Sequence, residues 1–281
     1  MLFSSSSSLS ADDFEALRRL IYEQSGIWLG DTKQPFLQLR LQERLLSRNI
    51  TSAREYYHFL KYDPLGSDEM QRLLDAVTIN ESWFFRESAP LLAWRDTILP
   101  ALMKQKQPVR LWSAACSTGE EPYTLAMLLL EMMPQATLAQ LEIVATDISL
   151  RALEAARTGI YDPHSLRHTE PRWVTRYFQP VANGGQRVGE AVRRLVHFGQ
   201  GNLLDQGVSA RVGRVDLILC RNVLIYFNEQ SRQKALNNLY SALHAGSHLL
   251  LGHSETLAHT MSSFEVARVG GSILYAKPAT P

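Results

Sequence analysis

The sequence predicts an α/β domain on a mostly parallel sheet, preceded by a small all-helical domain. Three observations carry that expectation. From residue 108 onward short apolar runs alternate with amphipathic helical stretches, the rhythm of parallel strands joined by right-handed crossovers. Before about residue 86 the apolar residues recur at helical spacing instead. Near the end, Gly270-Gly271 joins two strand-like runs as a tight hairpin, so the last strand is expected to run antiparallel. A chain of 281 residues, 45% hydrophobic and 20% charged, has room for one large or two modest globular domains.

Taken in order, the helical part starts at Ser10, which with Asp13 forms a capping-box-like pair. Phe14, Leu17, Leu20 and Ile21 then make one apolar face, and Gly26 can close the helix. A second helix is expected over "KQPFLQLRLQERLLSR", where Pro35 is tolerated in the first turn. Leu37, Leu41 and Leu45 recur on one face of it, and Arg40, Arg44 and Arg48 on another. Two shorter amphipathic stretches follow, "AREYYHFLKY" and "SDEMQRLLDAVTI". "APLLAWRDTILPALMKQ" reads as one connecting helix and "QKQP" as a polar break. The expected strands are "VRLWSA", "LEIVATD", "RLVHFGQGN", "VDLILCRN", "SHLLLGHS", "FEVARV" and "SILYAKP". Helices over "EPYTLAMLLLEMM", "SLRALEAART" and "EQSRQKALNNLYSAL" lie between them, and residues 160–200 break the rhythm as a Pro-, Gly- and His-containing insertion.

Composition excludes several classes. A net charge of +1 gives no bulk attraction to nucleic acid or to an anionic membrane. Two cysteines, Cys116 and Cys220, without CxxC spacing exclude a disulfide scaffold and a cysteine zinc site, and fit a reducing compartment. "MLFSSSSSLS" lacks the basic and apolar regions of a signal peptide and is expected to be a disordered lead. The most apolar run, "LAMLLLEMM", is too short to span a bilayer and holds Glu131. The expectation is a cytoplasmic protein with no membrane insertion.

In an open α/β sheet a ligand binds above the carboxyl ends of the strands. The first strand ends in "AACSTGEE", whose small residues admit a ligand close to the backbone. The turn has neither a full G-x-G-x-x-G nor a G-K-[ST], so nothing there is built for phosphate, and Glu120 and Glu121 would repel it. Asp147 at the tip of the second strand can accept hydrogen bonds from ribose hydroxyls. Asn202 in "GNLLD" can reach a base edge, and "CRNVLIYF" brings Arg221, Asn222 and Tyr226 to the same rim. The plain alternative is an ordinary α/β turn with a surface aspartate, but pure structure does not require polar groups at four successive strand tips. A nucleoside carrying a positive centre and no phosphate, S-adenosylmethionine, answers both the acidic turn and the missing phosphate loop.

"TINESWFFRE", "SAACSTGEEPY", "ATDIS", "GNLLD", "CRNVLIYF" and "GHSE", in that order, resemble the CheR family of chemoreceptor methyltransferases over nearly the whole chain. The resemblance implies a Rossmann-like class I methyltransferase sheet, mostly parallel with an antiparallel last strand. It also implies a small β-subdomain and a small all-α N-terminal domain. Domains would then be 1–86 helical (1–9 a disordered lead), 87–107 a linker helix, and 108–281 the methyltransferase domain, with the β-subdomain at about 160–200. It implies transfer of a methyl group from S-adenosylmethionine to glutamate side chains on the cytoplasmic helices of chemoreceptors, leaving S-adenosylhomocysteine. Carried over by motif, cofactor contacts would be Asn80, Ser82, Arg86, Glu120, Asp147, Asn202, Leu203, Arg221 and Asn222. Arg86 and Tyr226 would stand nearest the transferred methyl as catalytic residues. The family commonly has Thr where this chain has Ser82; a hydroxyl remains.

The chemistry agrees with those residue types. A glutamate carboxylate is already ionised at neutral pH, so no general base is required, and no Ser-His-Asp or Cys-His arrangement stands out. His164 and His168, four apart, have no evident third ligand, so no metal is expected. His253 and the two cysteines read as structural, and of Trp83, Phe84 and Phe85 some belong to the core while one could stack on adenine. The stripe Arg40, Arg44, Arg48 is either a solvated face or the surface that docks an acidic receptor helix. A DNA-binding reading of the helical domain is disfavoured by the near-neutral charge. Only eight residues, Gln179 to Gln186, separate Phe178 from the next strand-like run. The β-subdomains that hold a receptor's C-terminal pentapeptide have a longer loop, so no such tether is expected here. The expected state is a monomer. Two other functions fit less well: a cofactor-binding adaptor on a receptor array, and a methyltransferase for another carboxylate substrate.

Overall fold

A computed structural model of the chain describes residues 9–105, 108–132, 140–258, 260 and 262–279. The serine-rich lead up to residue 8 and the middle of the "QKQP" break lie outside the described residues. By internal contacts the chain divides into two compact units. One runs to Ile79 and includes Tyr226–Asn228; the other holds Asn80–Ile225 and Glu229–Pro281.

The smaller unit is helical: α1 Ala11–Ser25, α2 Gln34–Arg48, α3 Ala53–Tyr62 and α4 Gly66–Val77. Ser10 caps α1 by accepting the Asp13 N–H at 3.1 Å, and Gly26 closes it in the left-handed conformation, φ 76°. Ser52 caps α3 through the Glu55 N–H in the same way. Phe14, Leu17, Ile21, Leu37, Leu41 and Leu73 fill the interior between these helices. Ile27 bridges Phe227 and the Trp28 N–H donates to the Tyr226 carbonyl at 2.9 Å, which is why Tyr226–Asn228 counts with this unit.

Two of the three arginines in the α2 stripe are engaged inside the unit. Glu69 of α4 is fully buried. Arg44 grips both its oxygens at 2.8 and 2.9 Å, Arg48 adds a third bond at 2.5 Å, and the Tyr56 hydroxyl donates to it at 2.7 Å. Arg40 lies over the Phe36 ring. A buried carboxylate costs too much to leave unpaired, so helical spacing that looks like a surface stripe instead delivers two cations to one interior anion.

The larger unit opens with α5 Ala89–Thr97 and α6 Leu99–Gln105. The sequence suggests one helix here; Ile98 separates two, and Pro100 sits in the first turn of the second, where its missing N–H is harmless. The strands and helices then follow as β1 Val109–Ala114, α7 Glu120–Met132, β2 Leu141–Asp147, α8 Leu150–Thr158, β3 Ile160–Tyr161, α9 Pro171–Tyr177, β4 Phe178–Pro180, β5 Gln186–Val188, α10 Glu190–Arg193, β6 Val196–Gln200, α11 Gln206–Val212, β7 Val215–Cys220, α12 Glu229–Ala242, β8 Leu243–Leu251, β9 Glu265–Val269 and β10 Ser272–Ala276. The main sheet has seven strands in the order β6-β2-β1-β7-β8-β10-β9. β6, β2, β1, β7 and β8 are parallel; β10 is antiparallel to both β8 and β9. Gly270 and Gly271, φ 53° and 81°, make the two-residue hairpin that this reversal needs. β7 is buried along its whole length, as a strand flanked by others and covered on both faces must be. A separate three-stranded antiparallel sheet, β3-β5-β4, fills the insertion.

The segment Asn80–Arg86, which the sequence places with the helical domain, belongs to the larger unit. Phe84 is fully buried there against Tyr161 at 4.8 Å and Phe178 at 5.0 Å, and its N–H donates to the Ser165 carbonyl. A motif of helix-compatible residues is thus anchored by aromatic burial in the other unit.

Candidate functional site

The first strand, β1, ends buried, and the chain turns through Ala115–Gly119 into α7. Ala115 and Ser117 take positive φ, 65° and 52°, and Gly119 takes 95°. A side chain at Gly119 would come within 2.9 Å of the Ala156 Cβ and 3.0 Å of the Tyr161 hydroxyl, so only glycine fits. The turn is held by long-range bonds: the Ser117 N–H donates to Asp147 at 2.8 Å, and the Tyr161 hydroxyl donates to the Thr118 carbonyl at 2.6 Å. Asp147, at the tip of β2, also accepts the Ser149 N–H at 2.9 Å. It therefore joins the first two strand tips whatever else it binds.

The two glutamates that open α7 have different surroundings. Glu121 receives the Ser113 hydroxyl at 2.7 Å and the Arg221 guanidinium at 3.2 Å. Burial pushes its carboxyl up and Arg221 works against that. Glu120 is 1% exposed and receives three hydroxyls, Thr118 at 2.7 Å, Ser165 at 3.1 Å and Ser82, together with its own backbone N–H. Among the described residues no arginine or lysine pairs with it. Burial pushes its carboxyl above the ordinary carboxylate range, with the hydroxyl bonds opposing. A buried carboxylate on the turn beneath a strand tip, with hydroxyls and no cation, suits a ligand that brings its own positive charge.

Arg221, at the tip of β7, is a structural hub. Its side chain is 5% exposed and donates to the Arg86 carbonyl at 2.6 Å, the Glu87 carbonyl at 3.1 Å, the Glu87 carboxylate at 3.3 Å, and Glu121. Glu87 in turn accepts the His253 N–H at 3.0 Å. Burial raises its carboxyl, but His253 and Arg221 outweigh burial and leave it below the usual range. Asn222, φ 59°, starts a loop whose three successive N–H groups, from Asn222, Val223 and Leu224, all donate to Glu255 at 2.7–2.9 Å. The Gly252 N–H donates to the same carboxylate. Phe85 and Glu87 have φ of 61° and 45°. Five of the six non-glycine residues with positive φ among the described residues lie on these three loops, a concentration of backbone strain that surrounding bonds must hold in place.

The remaining expected residues fall as follows. Ser82 reaches Glu120, and Asn80 begins the same segment. Asn202 accepts the Leu204 N–H at 2.9 Å, and Leu203 is buried with its carbonyl taken by Asn238. Arg86 lies over the Trp83 ring at 4.3 Å, with Arg167 over the same ring at 4.1 Å. The Arg86 Nε is buried with no hydrogen-bond partner. Phe84 is core and Phe85 packs on Trp173 at 4.8 Å. Tyr226 belongs by its contacts to the smaller unit. Glu87, Glu255 and Ser165 are the residues that sequence reasoning missed. Glu255 stood inside the quoted "GHSE" and Glu87 beside Arg86; Ser165, in the irregular insertion, gives no signal along the chain.

A mostly parallel sheet with strained loops at its strand tips and a buried carboxylate, Glu120, held without a cation suits a class: an α/β domain for a cationic nucleoside. Comparison with known proteins makes this specific. Residues 80–270 match the CheR methyltransferase, SAM-binding domain, and residues 12–78 match the CheR methyltransferase all-alpha domain. The chain is 34% identical over 268 residues to chemotaxis protein methyltransferase 2 of Vibrio cholerae, covering 95% of this chain and 93% of that one. It is 36% identical to the chemotaxis protein methyltransferase of Vibrio parahaemolyticus, over 95% and 97% of the two chains. It is also 36% identical to chemotaxis protein methyltransferase 1 of Pseudomonas aeruginosa, over 94% and 97%. The chain belongs to the CheR methyltransferase family, and its cofactor is S-adenosylmethionine. The residues present fit a cofactor of that charge: Glu120 is a buried carboxylate that no arginine or lysine pairs with among the described residues.

Proposed function

We propose that this enzyme methylates glutamate side chains on the cytoplasmic helical domain of chemoreceptors, producing glutamyl methyl esters. The observation that carries the reading is the pairing of a buried, cation-free Glu120 with an Arg86 whose Nε makes no hydrogen bond and stands 3.9 Å from the Glu87 carboxylate. The first suits a positively charged methyl donor and the second suits an anionic acceptor. When bound, the cofactor supplies an electrophilic methyl group on a positively charged sulfur. Arg86, steadied on Trp83, guides the incoming carboxylate by charge and one directional N–H. The Tyr226 hydroxyl is assigned to orienting the carboxylate. Asn80, Ser82, Asp147, Asn202, Leu203 and Asn222 are assigned to the cofactor, while Arg221 positions the loops around it. No residue needs to remove a proton, because the acceptor is ionised at neutral pH. Catalysis is alignment plus exclusion of water from two opposite charges that cancel on reaction.

The proposed setting is the cytoplasm, with the enzyme acting as a monomer, on no nucleic acid, and without a receptor pentapeptide tether. Support for the last point is the loop between β4 and β5. It spans only Val181–Gly185 and is closed by the Val181 N–H on the Gly185 carbonyl. The test is methyl transfer from labelled cofactor to purified receptor signalling domains, with and without excess free pentapeptide. Alkali-labile label on glutamate, unaffected by the peptide, is the expected result. Alkali-stable label, or none on any receptor, would overturn the ester assignment; peptide competition would overturn the tether assignment alone.

A further inference from the structure

A cavity of about 230 Å³ lies outside the strand-tip site. Its apolar part is Val196 and the edge-to-face pair Tyr123–Phe198, whose ring centroids are 5.4 Å apart. The rest of its wall is charged: Arg157 at the end of α8, and Glu190, Arg193 and Arg194 on and just after α10. Three guanidinium groups against one carboxylate leave a net charge of +2 around a concave space.

The arginines are held but far from saturated. Arg157 gives one N–H to the Phe198 carbonyl at 3.2 Å, and Arg193 gives one to the Arg157 carbonyl at 2.9 Å and also bonds the Tyr123 hydroxyl. Glu190 takes the Arg194 Nε–H at 2.9 Å and stands 3.8 Å from Arg193. A guanidinium carries five N–H donors, so most of the donors on these three groups remain available. Two backbone carbonyls and Glu190 thus hold three guanidinium groups around one concave space with a net positive charge. Forked N–H donors match the oxygens of a phosphate better than those of a halide, and a dianion balances the charge.

We propose that this cavity binds a phosphate group, either inorganic phosphate or the phosphate of a small phosphorylated molecule whose apolar part rests on Phe198 and Val196. None of its lining residues takes part in the strand-tip site. The test is calorimetric titration of the full chain with inorganic phosphate and with adenosine 5′-monophosphate, chloride adjusted to hold ionic strength constant. Variants are Arg157→Gln and Arg194→Gln, both exposed enough to leave folding intact, and Glu190→Gln. Saturable binding is expected, weakened about tenfold or more in each arginine variant and tightened in Glu190→Gln, which removes the competing carboxylate. Stronger binding of the nucleotide assigns the phosphorylated molecule; equal or weaker binding assigns the free ion. No saturable heat with either probe, or affinities unchanged in both arginine variants, would overturn the site.

Discussion

Two buried glutamates, Glu69 in the helical unit and Glu120 in the sheet unit, stand in opposite electrostatic situations. Each is within 1% of full burial. Glu69 receives two arginines and a tyrosine hydroxyl, and although burial works against ionisation, those bonds hold its carboxyl below the ordinary range. Glu120 receives hydroxyls and its own backbone N–H but no cation, burial dominates, and its carboxyl is pushed up. The first is complete without a ligand and serves the fold. The second is incomplete, and its deficit has the sign that an ammonium or sulfonium corrects. Burial alone therefore distinguishes nothing; the charge of the partners separates a carboxylate that builds structure from one that binds.

The largest expected effect breaks the structural member. Glu69→Gln leaves Arg44 and Arg48 without their anion and should cost about 3 kcal/mol, the low end for a broken buried pair because both arginines keep some solvent contact. Denaturant unfolding of the helical unit reads this, and cofactor affinity should not change. Because the Glu69 pKa is lowered in the folded state, its stabilisation is present above the unfolded value and is lost as pH falls through the folded one. A loss under about 1 kcal/mol in the variant would show the pair to be inert.

A smaller effect of a different kind sharpens the other member. Glu120→Gln should weaken cofactor binding by about 1.5–3 kcal/mol, the worth of a hydrogen bond to a charged group. Without cofactor the same variant should be at least as stable as the parent at neutral pH. The reason is again linkage: the folded pKa of Glu120 is raised, so its contribution favours folding at low pH and is lost as pH rises through that value. Cofactor affinity of the parent should fall on acidification from a pH above the ordinary carboxylate range, and that dependence should vanish in the variant. Calorimetry across pH decides it; an identical profile in both proteins would remove Glu120 from the binding site.

The smallest effect concerns the residues that looked like a docking face. Arg40→Glu, at a half-buried arginine that lies over Phe36 and grips no carboxylate, should change stability less than Arg44→Glu, which should behave like the loss of Glu69. Thermal melts of the two variants side by side separate the roles. Similar melting temperatures would mean that the Arg44 pair contributes no more than a surface charge.

Much of the architecture was legible along the chain. The β1, β2 and α3 segments begin and end where apolar periodicity and caps place them, and the glycine hairpin dictated the antiparallel end. The linker was misread as one helix because periodicity runs straight through Ile98, and α11 has too few apolar residues to announce itself. In the site, strand-tip position singled out Glu120, Asp147 and Arg221 as residue types. It could not say that Arg221 would bond Glu121, Glu87 and two carbonyls.

By itself the sequence determined which residues stand at the ends of the strands, because hydrophobic period and turn chemistry are local properties of consecutive residues. Only the tertiary structure decided which charges meet. Glu69 is 25 residues from Arg44, Glu121 is 100 from Arg221, and Ser165 is 45 from Glu120. Whether a buried carboxylate is neutralised from within or left for a cation depends on atoms a few ångströms away in space, since the interaction decays with distance through the fold and not with separation along the chain.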